Sequence, residues 1–181
     1  ENFTELLWAP KLAKAGRDIL ASEGIEKCLQ NISGKDQKYI IGTTNMFDKS
    51  TGTIDHIDSY YIDTDPQGYL IAAWVALENI DGKGGEFHIY PGSHLSKDKS
   101  WQKMNHDEFI KWSIKLSSNY DKKSLNINKG DVVFWHPSLI HGSSSQRMKK
   151  FTRKSITAHY HPKNLLRSNG INKNILDKKI Y

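Results

Sequence analysis

From Tyr39 onward the chain cannot run far without a turn. DKSTG (48–52), DTDPQG (63–68) and DGKGG (81–85) interrupt it with residues that each supply turn geometry: glycine for positive φ, proline for a preset φ, aspartate and serine for bonds to nearby backbone. The stretches between are short and rich in β-branched and aromatic residues: YIIGTTNMF (39–47), TIDHIDSYYI (53–62), GYLIAAWVALENI (68–80) and GEFHIYP (85–91). Segments of that length and texture read as strands. The pattern resumes in LNINKGDVVFWHP (125–137) and RKSITAHYHP (153–162). A meander of many short strands must bury one face against a second sheet or close on itself, which points to a β-sandwich or open barrel.

Two regions carry a helical period instead. Leu6, Leu7, Leu12, Ile19, Leu20, Ile25 and Leu29 recur at helical spacing, interrupted by Pro10 and Gly24, which predicts one or two helices over residues 4–30. NHDEFIKWSIKLS, at about residues 105–117, predicts another, capped by Asn105 or Asp107, with Phe109, Trp112 and Leu116 as a core stripe. The expected organisation is one domain over residues 1–181. Within it lie N-terminal helical support (1–36), a β core (37–162) with a helical insertion near 105–117, and a polar, basic, weakly structured tail (163–181).

Composition narrows the function. The 26 Lys+Arg against 20 Asp+Glu give a net charge of +6, compatible with an anionic small-molecule substrate. The lysines fall in scattered groups (Lys97 and Lys99, Lys122 and Lys123, Lys149 and Lys150, Lys178 and Lys179), not in a stripe, so no nucleic-acid partner is expected. Cys28 is the only cysteine, which excludes an intrachain disulfide and a thiolate zinc site and favours the cytoplasm. No apolar run has the length of a membrane span, and ENFTELLWAPKL lacks the order of a signal peptide. The first residue is not methionine, so residues are expected to precede it. GKGG (82–85) lacks the Lys-Ser/Thr that completes a phosphate loop and reads as a hairpin turn.

Within TIDHIDSYYI, His56 and Asp58 stand two apart, so in a strand they project to one face. A third ligand would complete a site of two histidines and one carboxylate, the arrangement that suits non-haem Fe(II) with open positions. His88, His94, His106, His136, His141, His159 and His161 are the candidates. His141 stands out because it closes NKGDVVFWHPSLIHGSS, where a Gly-Asp turn launches an apolar strand that ends in a histidine followed by small residues. Further on, Arg153, Ser155 and Thr157 alternate onto one face, and an arginine directed inward needs a carboxylate partner. His88, His94, His136, His159 and His161 read as packing or hydrogen-bonded histidines.

HID, AAWVALENIDGKGGEFHIYPGSH, KGDVVFWHPSLIHGSSS and RKSITAHY occur in that order, and the set resembles the phytanoyl-CoA dioxygenase family of Fe(II)- and 2-oxoglutarate-dependent oxygenases from about Thr43 to Tyr160. The resemblance implies a double-stranded β-helix, a cupin-like jelly-roll that is mainly β with flanking α-helices. It implies His56, Asp58 and His141 as metal ligands, Arg153 as the clamp for the distal carboxylate of 2-oxoglutarate, Ser143 as a hydroxyl donor to that carboxylate, and Trp74 in the co-substrate pocket. Thr44 or Met46 would add to the pocket from the preceding strand. The chemistry implied is hydroxylation of a small organic substrate by dioxygen with release of succinate and carbon dioxide. Related halogenases replace the carboxylate of the motif by a small residue, and Asp58 places this chain with the hydroxylases. The chain is shorter than the family pattern at its N-terminal side, where the substrate is normally covered. A cupin-like metalloenzyme that does not use 2-oxoglutarate, and a non-catalytic barrel binding module, are the competing readings.

Overall fold

A computed structural model describes residues 6–7, 14–34, 37–148 and 150–168. In chain order the elements are β1 (Leu6–Leu7), α1 (Lys14–Leu20), α2 (Glu23–Ser33), β2 (Tyr39–Phe47), β3 (Thr51–His56), β4 (Asp63–Asp65), β5 (Ile71–Ala76) and β6 (Phe87–Ile89). There follow α3 (His106–Ser117), β7 (Lys123–Leu125), β8 (Val132–Trp135), β9 (His141–Ser145), β10 (Ser155–Pro162) and β11 (Leu166–Ser168). They form a five-stranded sheet ordered β1-β2-β10-β5-β8, a four-stranded sheet ordered β3-β9-β6-β7, and a small β11-β4 pair, all antiparallel. Two facing sheets with flanking helices are the sandwich expected from the turns and the jelly-roll that the family resemblance implies.

The middle of the larger sheet is covered on both sides. In β5, Ile71, Ala73 and Val75 pack with Ile156, Ala158 and Tyr160 of β10 against Leu20, Ile25 and Leu29 of the N-terminal helices. The alternate residues Ala72, Trp74 and Ala76 turn inward to Phe87, Trp135 and Leu139. This explains why IAAWVA is continuously apolar: a strand buried on both faces has no polar side to show. β10 is buried throughout as well, yet its inward positions are Ser155, Thr157, His159 and His161. Polar side chains on the inner face of a central strand mark where the interior is not hydrocarbon.

Several elements differ from the sequence expectation. Leu6 and Leu7 form a strand paired with Asn45 and Met46 of β2, not the start of a helix. Gly24 lies in the first turn of α2, and the break between the helices falls at Ala21–Ser22. Leu12 lies outside the described residues. DTDPQG contributes β4, and the expected tail contributes its partner β11; three-residue strands are too short to carry a period a sequence can reveal. Asn105 caps α3: its side chain accepts from the Glu108 backbone N–H (3.0 Å), and the Glu108 carboxylate accepts from the Asn105 N–H (2.9 Å), a complete capping box. On that helix Phe109 is buried while Trp112 and Leu116 flank it half-buried, and the innermost line continues through Ser113 and Ser117. Small side chains there let α3 lie close against β3.

Candidate metal centre

The strand expected across TIDHIDSYYI stops at His56. Ile57 bridges to a 3₁₀ turn, Asp58–Tyr60, whose first residue is the aspartate. His56 and Asp58 therefore meet through a strand end and a turn, not through strand alternation. His141 also sits differently from expectation: the apolar strand β8 ends at Trp135, and His141 opens the next strand, directly opposite His56 in the β3–β9 register. The turn between, with the Leu139 N–H bonded to the His136 carbonyl, brings the chain back.

The structure brings the three side chains together between the sheets. Asp58 Oδ1 is 3.7 Å from His56 Nε2 and 3.5 Å from His141 Nε2, and the three donor atoms all lie within 4.8 Å of one another. Donors about 2.1 Å from one ion lie about 3 Å apart at right angles, so a small contraction onto a divalent cation suffices. Both rings are oriented the same way. His56 Nδ1–H donates to the Ile54 carbonyl (2.7 Å) and His141 Nδ1–H to the Leu139 carbonyl (2.9 Å), which leaves each Nε2 lone pair facing the cluster. Asp58 is split in function: Oδ1 faces the imidazoles, while Oδ2 accepts from Trp135 Nε1–H (2.8 Å).

Burial pushes the Asp58 carboxyl up, but the imidazoles of His141, His159 and His56 outweigh it and hold the group well below the ordinary carboxylate range. Burial lowers His141 to about 4, so its ring is neutral and its Nε2 is free to donate a lone pair at neutral pH. Burial also works to lower His56, yet the facing Asp58 and the Ile54 carbonyl raise it on balance. Two neutral-capable nitrogens and one carboxylate, with no thiolate, form a donor set suited to Fe(II) and its neighbours in the first transition row.

The cluster opens into a cavity of about 690 Å³. Arg153, Thr157, Ser143, Trp74 and Phe47 line it, and so do Ile54, Tyr61, His106 and Ile110. Arg153 is 3% exposed, its guanidinium lies over the rings of Phe47 (5.5 Å) and Trp74 (6.0 Å), and its Nε and Nη1 have no hydrogen-bond partner among the described residues. Burial alone brings its pKa down to about 10. A buried, charged, planar donor facing an open cavity matches a carboxylate. Trp74 stacks on Phe87 (5.4 Å between centroids), and Ser143 Oγ donates to Thr53 Oγ1 (3.1 Å) beside it. From β2 it is Asn45 and Phe47 that reach the cavity; Met46 faces the helices and Thr44 shares its parity, so the expectation of Thr44 or Met46 was one residue out of phase.

Two contributors escaped the sequence reading. Trp135, which clamps Asp58, reads as a core residue in any apolar strand. His159, read as a packing histidine, lines the cavity with Nε2 3.4 Å from Asp58 Oδ2 and Nδ1 paired with Thr43 Oγ1 (2.9 Å). Its signal was present, since it continues the alternation of Arg153, Ser155 and Thr157. His106 stands at the mouth against Tyr61 Oη (3.1 Å). His88 bonds Asp55 away from the cluster, and His94 and His136, with rings tilted 44° to each other, line a separate cavity.

Two facing antiparallel sheets with two imidazoles and a carboxylate converging between them define a cupin-like jelly-roll of the facial-triad kind. A family model described as Phytanoyl-CoA dioxygenase (PhyH) matches residues 1–155, and the chain belongs to that family. It is 36% identical over 115 residues to peroxisomal phytanoyl-CoA dioxygenase of Rattus norvegicus, and 31% identical over 115 residues to the Homo sapiens protein of the same name. Each match covers 58% of this chain and 32% of the relative, so the chain spans about a third of the length of the curated relatives it matches. Among solved structures, the epimerase SnoN in complex with Fe3+, alpha ketoglutarate and nogalamycin RO is similar with a TM-score of 0.74 at 20% identity, over 92% of this chain and 66% of that one. EctD from S. alaskensis with 2-oxoglutarate and 5-hydroxyectoine is similar with a TM-score of 0.68 at 15% identity, over 87% and 56%. Likeness at those identities establishes the shared fold.

Proposed function

We propose that this chain carries the activity of a non-haem Fe(II)- and 2-oxoglutarate-dependent dioxygenase that hydroxylates a small organic substrate. The observation that carries the reading is the buried guanidinium of Arg153, whose Nε and Nη1 have no partner among the described residues, in the same cavity as the His56–Asp58–His141 cluster. A metalloenzyme that needed no keto acid would have no use for an uncompensated charge there, because leaving it buried costs several kcal/mol.

In this reading His56, Asp58 and His141 would hold the iron, while Trp135 keeps Asp58 Oδ2 engaged and leaves Oδ1 toward the two imidazoles. When bound, Fe(II) with 2-oxoglutarate and dioxygen supplies an oxidant for a C–H bond, one oxygen atom going to substrate and one to succinate as carbon dioxide leaves. Arg153 would receive the distal carboxylate, Ser143 would turn its hydroxyl from Thr53 to donate to it, and Trp74 would form the wall behind. The protein's work is to orient and to exclude water, so no general base is required. The lining residues Ile54, Tyr61, His106 and Ile110 are left to meet the substrate. An anionic substrate, which the net charge would favour, meets no Lys or Arg besides Arg153 among the described lining residues.

The reducing compartment argued from Cys28, the cytoplasm, is part of the proposal, although the Rattus norvegicus relative is named peroxisomal. Among the described residues no helix is long and apolar enough to cross a membrane.

The test is anaerobic titration with Fe(II) and then 2-oxoglutarate. A weak visible charge-transfer band that requires both, absent in His141→Ala, is the expected result, together with succinate formation under air. A folded, iron-loaded protein that gives no band and no succinate would refute the reading.

A further inference from the structure

β3 and β9 pair with an irregularity next to the metal cluster. Thr53 lies opposite Ser143 and His56 opposite His141, so between these pairs β3 has two residues, Ile54 and Asp55, where β9 has only Gly142. This is a β-bulge. In a regular strand Thr53 and His56, three positions apart, would project to opposite faces. The extra residue restores the parity, and both line the cavity. Remove the bulge and His56 turns away from Asp58 and His141, because a one-residue slip reverses every side chain beyond it.

Something must hold an unpaired residue in a ladder, and here Asp55 has the contacts. Its Oδ1 accepts from His88 Nε2–H (2.6 Å) and its Oδ2 from Tyr90 Oη–H (2.5 Å). His88 belongs to β6, on the far side of β9, where it is the register partner of Gly142. The carboxylate thus reaches across an entire strand, and it can do so only at a residue without a side chain. A Cβ on Gly142 would come within 2.7 Å of Asp55 Oδ1, 2.8 Å of His88 Nε2 and 2.8 Å of the Thr53 carbonyl. His88 is 3% exposed and Tyr90 is buried in the cluster under α3, so neither partner is free to swing away. The bond from His56 Nδ1 to the Ile54 carbonyl, which aims the ring, is made inside the same bulge.

We infer that Asp55 is a positioning residue: its carboxylate staples the β3 bulge across Gly142 to His88 and Tyr90 and thereby keeps His56 Nε2 turned toward Asp58 and His141. The inference rests on the metal-centre reading. It makes the aspartate before the His56–Ile57–Asp58 motif as necessary to the site as the glycine after His141.

The experiment uses the full chain stripped of metal by a chelator and titrated calorimetrically with Ni(II), a probe that needs no turnover, alongside thermal melts of the metal-free protein. Asp55→Ala should weaken Ni(II) binding by about 10- to 100-fold, the usual effect of removing a group that orients a metal ligand. Asp55→Asn should restore the wild-type affinity, because the amide can accept from His88 and donate to the Tyr90 oxygen. A lowered melting temperature with unchanged Ni(II) affinity in Asp55→Ala would overturn the inference, since a merely structural residue behaves that way. If Asp55→Ala does not fold, His88→Gln and Tyr90→Phe loosen the staple from its far end and should weaken Ni(II) binding in the same direction; wild-type affinity in both overturns it equally. A wild-type chain that takes up no Ni(II) overturns the metal-centre reading and the staple's role with it, whereas tight wild-type binding left intact in Asp55→Ala overturns the staple alone.

Discussion

Arg153→Met should make the metal-free protein more stable and its co-substrate binding worse, two effects of opposite sign from one side chain. Burial takes the Arg153 guanidinium down from its ordinary value to about 10, and at 1.36 kcal/mol per pH unit that corresponds to about 3 kcal/mol against the folded state. Methionine fills much of the same volume without the charge. What is lost is the attraction of the guanidinium to the Phe47 and Trp74 rings, about 0.5–1 kcal/mol each. The net expectation is a gain of about 1–2 kcal/mol, read as a rise in melting temperature of roughly 3–6 °C for a chain of this size. Charge-assisted hydrogen bonds to a carboxylate contribute about 1.5–3 kcal/mol. Losing them should therefore weaken 2-oxoglutarate binding roughly 10- to 150-fold, measured by the charge-transfer titration at saturating Fe(II). A variant that melts lower than wild type and keeps its affinity for 2-oxoglutarate would refute the reasoning, because it would mean that the guanidinium is paired within the fold.

Further expectations follow from the same geometry. Trp135→Phe removes the 2.8 Å bond to Asp58 Oδ2 and should lower metal affinity about 10- to 100-fold, which calorimetric Ni(II) titration would detect; unchanged affinity would reduce the indole to a packing role. In the metal-free protein burial holds His141 at about 4, below its ordinary 6.5. The unfolded chain therefore takes up this proton first as pH falls. The stability this neutral ring preserves is intact above about pH 6.5 and is lost by about 3 kcal/mol as pH falls through 4. Melts between pH 7 and pH 4 should show the loss in wild type and a flatter profile in His141→Leu. Asn105→Ala breaks the capping box of α3 and should cost about 1 kcal/mol, measured as a lower denaturation midpoint with the metal affinity intact.

The meander from Tyr39, its turns, and the two helical regions were legible because they rest on local chemistry: turn residues, β-branched runs and a 3.6-residue period act within a few positions. The candidate cluster was legible as a set of residue types in order, and so was the alternation that carries Arg153 and Thr157 inward. Where the reading slipped, long-range contacts had decided the geometry. His56 and Asp58 share a direction because β3 ends in a 3₁₀ turn, not because a strand continues. Asn45 and Phe47, not Thr44 or Met46, face the cavity because pairing with β10 and packing on α1 and α2 set which side of β2 is inner.

Local chemistry along the chain is enough to specify a helix-flanked sandwich of short strands, with two histidines, a carboxylate and an arginine at chemically suggestive positions. The convergence of these side chains, the placing of Trp135 and His159 against Asp58, and the reach of Asp55 across Gly142 to His88 come from the three-dimensional packing. The reason is physical. Turn and strand propensities are summed over neighbours in the chain, whereas the direction of His56 depends on a single extra residue in one strand, held by His88 of β6 and by Tyr90 just beyond it, thirty-three and thirty-five positions away.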